Sequence, residues 1–152
     1  MIRAIVYDRC IDASRSVCLR LLRRRIAAVA VHPTDFDLTF EPEGVPNLLI
    51  TELEMPLFSG FELIRQVRSA WGEATPRIIA YTMIDDAGAW QTARDLGADE
   101  VVYKRSADAL KRLDLAITEC LVPTTLRPAV ALRPAERLAP ALGVSRSAAA
   151  SP

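Results

Sequence analysis

The chain is short of several things, and each shortage excludes something. Its 152 residues hold three cysteines, Cys10, Cys18 and Cys120, widely spaced and without a Cys-x-x-Cys pair or a histidine-rich cluster beside them. That pattern excludes a disulfide framework and a zinc site and reads as reduced thiols. There is one histidine, His32; histidine-based catalysis has a single candidate, and a lone histidine is more often structural. No apolar run approaches the roughly 20 residues of a membrane span. No charged-then-apolar leader precedes the first strand-like run, so the expectation is a cytoplasmic protein with no signal peptide and no membrane contact. Charge of one sign is missing too, since 19 basic residues balance 19 acidic ones. A strongly basic nucleic-acid binder is excluded on those bulk electrostatics. Aromatics are 6%, and neither Trp71 nor Trp90 sits in an aromatic-and-basic array of the kind that stacks bases. The run Arg23-Arg24-Arg25 closes a predicted helix, where cations suit the helix dipole.

What is present is the composition of a globular domain, 51% hydrophobic and 25% charged, at a length that buries a core without staples. The charge is uneven. Residues 1–120 hold 15 basic and 18 acidic residues, whereas residues 121–152 hold Arg127, Arg133, Arg137 and Arg146 against Glu136, with five of the ten prolines and eight alanines. This places a folded domain at 1–121 and a Pro/Ala/Arg-rich tail or linker at 122–152. In the tail, Leu126-Arg-Pro-Ala, Leu132-Arg-Pro-Ala and Leu138-Ala-Pro-Ala recur every six residues. Six residues are two turns of polyproline II, so the three leucines could share one face. A flexible linker is the plainer reading; a strip that docks on a partner or on the domain is the sharper one.

Five short apolar runs read as strands: 2–7, 27–31, 47–51, 77–82 and 100–103. Helices are predicted between and after them. The first is capped by Asp12 or Ser14 and runs to about Arg25. A short, ambiguous one covers 34–41, where the alternation of Phe36, Leu38 and Phe40 also suits a strand. The third follows Ser59 to about Trp71, the fourth runs from Asp85/Asp86 to Gly97, and the last is capped by Ser106. Five strand–helix repeats mean an α/β fold, a parallel sheet covered on both faces, (βα)5 and doubly wound. In such sheets the loops after the strand C-termini build the site.

Those ends carry chemistry. Asp8 closes strand 1, Glu52 strand 3, Thr82 strand 4 and Lys104 strand 5. Two carboxylates on one rim can bind a hard divalent cation. A hydroxyl and an ammonium can hold the oxygens of a phosphoryl group.

The stretch Glu52-Leu-Glu-Met-Pro-Leu-Phe-Ser-Gly60-Phe-Glu-Leu63 resembles the Asp-x-x-Met-Pro-x-x-x-Gly-x-x-Leu block of the receiver domains of two-component response regulators. The steps Asp8 to Glu52, Glu52 to Thr82 and Thr82 to Lys104 span 44, 30 and 22 residues, each typical of that family. Gly97-Ala98-Asp99 before the last strand also fits, and the resemblance covers about residues 2–120. It implies a CheY-like (flavodoxin-like) sheet in the order 2-1-3-4-5 and a phosphorylation switch. In that switch an Asp ending strand 3 takes a phosphoryl group from a histidine kinase, acids after strand 1 help bind Mg²⁺, and Thr and Lys contact the phosphoryl oxygens.

This chain departs from the pattern. Glu52 stands at the phospho-acceptor position. The usual acid pair is Tyr7-Asp8, so one acid is gone. Met83 stands where a small residue is usual, Val101 where a switching aromatic is common, and Arg105 where proline is usual. The extra methylene of Glu52 moves its carboxylate outward by about 1.5 Å, and in-line transfer tolerates such displacement poorly. It also brings Glu52 towards Lys104, making a permanent pair that either imitates the phosphorylated state or marks a dead site. With Asp8 and Glu52 as the only metal candidates, Mg²⁺ binding is expected to be weak or absent, and no other cofactor is implied. The reading is a non-enzymatic, phosphorylation-independent pseudo-receiver that contacts signalling partners, a histidine kinase or a downstream effector. Homodimerisation through the last two helices and the last strand follows from the resemblance. The alternatives are a receiver that is still phosphorylated with Mg²⁺ and, less favoured, a phosphatase or hydrolase using Glu52-Leu-Glu54.

Overall fold

The computed structural model describes residues 1–35, 44–72 and 76–123. Strand β1 (Arg3–Tyr7) leads to α1 (Ile11–Arg23), and β2 (Ala27–Val31) to a single 3-10 turn, Pro33–Asp35. Then follow β3 (Leu48–Thr51), α2 (Gly60–Trp71), β4 (Arg77–Thr82), α3 (Ala87–Leu96), β5 (Glu100–Tyr103) and α4 (Ala109–Leu121). All pairings are parallel, in the order β2-β1-β3-β4-β5. The sequence expectation of a doubly wound sheet in that order holds, with four α-helices among the described residues. Most of the helix expected over 34–41 lies outside them, as does the tail from residue 124.

Strand alternation builds two cores, one on each face of the sheet. Ala4, Val6, Leu48, Ile50, Ile79, Tyr81 and Val102 pack with Val17 and Leu21 of α1 and Leu113 and Ile117 of α4. Ile5, Tyr7, Leu49, Ile78 and Ala80 pack with Leu63, Ile64 and Val67 of α2 and Ala93 of α3. Burial on both faces is why β1, β3 and β4 read as continuous apolar runs.

Two of the expected caps hold and two do not. Ser59 accepts a hydrogen bond from the Glu62 amide at 3.2 Å, and Asp86 from the Ala89 amide at 2.7 Å. Helix α1 starts earlier than expected, after Cys10, which gives no side-chain cap; Ser14 donates instead to the Ile11 carbonyl. Helix α4 starts after Asp108, and the Ser106 hydroxyl donates to the Tyr103 carbonyl. The arginine run does more than suit a dipole. Arg24 donates to Thr118, and with Arg20 it pairs with Asp114, tying α1 to α4.

Candidate functional site

The register of the sheet brings Asp8, Glu52, Thr82 and Lys104 to one rim. The Glu52 amide donates to the Tyr7 carbonyl and the Lys104 amide to the Thr82 carbonyl, so the ladder positions each residue just past its strand. Gly60 fixes the loop between β3 and α2. Its amide donates to the Leu53 carbonyl, and a Cβ there would lie 2.0 Å from the Glu52 carbonyl oxygen.

Glu52 is 2% exposed, Asp8 5% and Thr82 0%. Buried carboxylates need partners, and these have them. The Lys104 ammonium donates to Asp8 Oδ2 at 2.6 Å and to Glu52 Oε2 at 2.7 Å. Thr82 Oγ1 donates to Glu52 Oε1 at 2.5 Å. The Leu53 amide donates to Oε1 at 2.7 Å, and the Met83 amide reaches Oε2 at 3.1 Å. Asp8 Oδ1 accepts from the Cys10 amide at 2.8 Å. The ammonium also lies 5.2 Å from the centre of the Tyr81 ring, within reach of a cation–π interaction. Burial alone would push the Glu52 carboxyl up. The hydrogen bonds from Lys104 and Thr82 and the Lys104 charge overcome it and hold the group below its ordinary value. Burial likewise works against the Lys104 charge, but Asp8 and Glu52 outweigh it and raise its pKa.

The expected Glu52–Lys104 pair is present. Two further features were not legible beforehand: the bridge from the same ammonium to Asp8 and the amides of Leu53 and Met83 aimed at Glu52. Backbone donors depend on loop path and leave no mark in residue identity. Tyr7 is 1% exposed and packs with the α2-side core. Met83 and Val101 are half-buried, Met83 following Thr82 on the rim and Val101 against the α2-side core. Glu54, the second acid of the hydrolase alternative, is exposed and lies 4.0 Å from Arg9.

A divalent cation fits this arrangement poorly. One oxygen of Asp8 and one of Glu52 are taken by the same ammonium and the others by hydrogen-bond donors. Among the described residues no group of three or more His, Cys, Asp or Glu is placed to hold a metal.

No curated protein matches the chain. Solved structures do. A two-component response regulator from Clostridium difficile is 16% identical with a TM-score of 0.69, over 80% of this chain and 96% of that one. A response regulator receiver protein from Pseudomonas putida is 24% identical with a TM-score of 0.67, over 78% and 96%. The response regulator TrrA from Thermotoga maritima, solved in complex with Mg²⁺-BeF, is 21% identical with a TM-score of 0.67, over 80% and 100%. These likenesses show the shared fold. The response regulator receiver domain profile matches residues 14–116, and with the fold and the strand-end cluster in place, the chain belongs to the receiver domain family of two-component response regulators.

Proposed function

We propose that this receiver is a phosphorylation-independent protein–protein interaction module, held in one state by Glu52. One observation carries the reading. The Glu52 carboxylate already gathers Thr82, Lys104 and the Met83 amide, donors suited to the oxygens of a phosphoryl group. A charge-assisted cluster of this kind, buried and fully bonded, favours a single conformation. It works without Mg²⁺, because the Lys104 ammonium supplies the cation that two neighbouring carboxylates require. The module acts in the cytoplasm, as a binding partner and not as an enzyme. Its partners are a histidine kinase or a downstream effector, and a second copy through the face formed by α3, β5 and α4.

The test is intact mass after incubation of the full chain with acetyl phosphate and Mg²⁺, alongside Glu52→Asp. The expected result is an unmodified wild type and a Glu52→Asp protein heavier by one phosphoryl group. A phosphorylated wild type would overturn the reading. If neither is modified, the shorter carboxylate does not restore the chemistry, and the claim that Glu52 is the residue that blocks it fails.

A further inference from the structure

We propose that Trp90 and Tyr103 are the aromatic link between the Glu52 cluster and the surface where α3 meets β5, replacing the aromatic that Val101 does not supply. The chain of contacts is continuous. Thr82 Oγ1 donates to Glu52 at 2.5 Å. The same oxygen accepts from the Ile84 amide at 3.1 Å. The Ile84 carbonyl accepts from the Trp90 indole Nε1 at 2.7 Å. The Trp90 and Tyr103 rings lie 6.1 Å apart between centroids, tilted by 40°.

Each link constrains the next. A hydroxyl has one proton and two lone pairs. Spending the proton on Glu52 orients the oxygen so that a lone pair meets the Ile84 N–H. That bond fixes the turn after β4 and with it the direction of the Ile84 carbonyl. An indole N–H only donates, so the ring follows the carbonyl. A tilted aromatic pair at this separation has a preferred geometry, so the phenol ring on β5 follows the indole. Trp90 and Tyr103 are both half-buried. Their packing therefore reaches the surface between α3 and β5 while its other end is anchored at a fully buried threonine. Trp90 is a positioning residue that acts through Thr82. The inference rests on this geometry and not on phosphorylation independence, so labelling by acetyl phosphate can succeed or fail without touching it.

The experiment uses the full chain in a Trp71→Phe background, which leaves Trp90 as the sole tryptophan. Thr82→Val removes the hydroxyl at nearly constant shape. It is expected to shift Trp90 emission to longer wavelength, increase acrylamide quenching and move the Tyr103 ring proton resonances. Thr82→Ser, which keeps the hydroxyl, is expected to retain the wild-type values. Glu52→Leu, which removes the oxygen that takes the Thr82 proton, provides a second perturbation should Thr82→Val unfold by circular dichroism. Unchanged Trp90 emission in a folded Thr82→Val or Glu52→Leu protein would overturn the proposal. The rival route is the ladder bond from the Lys104 amide to the Thr82 carbonyl, at 2.8 Å. In Trp71→Phe/Trp90→Phe, the effect of Thr82→Val on the Tyr103 ring should be lost; if it persists at full size, the ladder carries the coupling and the aromatic link is wrong.

Discussion

Lys104 holds two buried carboxylates by one ammonium, so its removal should cost more than the removal of either acid. Lys104→Met keeps the length of the side chain and leaves Asp8 and Glu52 facing each other unpaired. Breaking a buried pair in this way typically costs about 3–5 kcal/mol, and urea unfolding should show a midpoint lowered accordingly. Glu52→Gln should cost less, because the amide oxygen still accepts from Thr82 and the Asp8–Lys104 bridge remains. Equal losses for the two variants would mean that Lys104 does not hold the acids jointly. The same cluster sets a pH window. Glu52 has a depressed pKa in the folded state, so its contribution is present above the ordinary carboxylate range and lost as pH falls through the folded value. Lys104 has a raised one, so its contribution is present below the ordinary lysine range and lost as pH rises through the folded value. Melting temperature against pH should therefore fall at both extremes, and Glu52→Gln should flatten the acid limb. The four rim residues were legible from strand-end spacing. Tyr7 was legible as the last residue of the apolar run 2–7, and strand alternation puts it in the core on the same face as Ile5 and Leu49.

At the scale of elements, the loop between β3 and α2 is fixed by a glycine that nothing else can replace. A methyl at Gly60 meets backbone on the Glu52–Leu53 side, with the Leu53 Cα at 2.7 Å, and backbone cannot swing aside as a side chain can. Gly60→Ala should destabilise the protein by about 1–3 kcal/mol, the usual range for overpacking. It should also displace the Glu52 carboxylate, which amide shifts at Leu53 and Met83 would report. A variant as stable as wild type would mean that the α2 start is free to slide. Helices and strands were legible here because apolar periodicity and the residues Ser59, Asp86 and Gly97 mark them. The starts of α1 and α4 were misplaced because a nearby hydroxyl, at Ser14 or Ser106, donates to a carbonyl rather than accepting an amide, and residue type does not distinguish the two.

At the scale of the molecule, the parallel order of the sheet leaves β5 at one edge, flanked by α3 and α4, and this is the face proposed for a second copy. A groove of about 200 Å³ runs along it, lined by Val101, Leu115 and Ala116 with Glu100, Arg112 and Glu119 also facing it. Leu115 is 58% exposed and Leu110 49%, which places two large apolar side chains in water on one helix. The parallel sheet was legible from the repeat of strand and helix and its order from the resemblance to receivers, but these exposures were not, since Leu110 and Leu113 both suit a helical stripe and only Leu113 is buried, at 0% exposed. An apolar centre with charges around it is the composition of a protein interface. If two copies meet here, light scattering during gel filtration of the full chain should give a mass that rises towards a dimer with concentration. Leu115→Asp should return it to a monomer without lowering the melting temperature, because an exposed side chain contributes little to the fold. A strict monomer at high concentration in the wild type would remove the second copy from the list of partners and leave the face to a heterologous protein, whereas a dimer indifferent to Leu115→Asp would place the contact elsewhere.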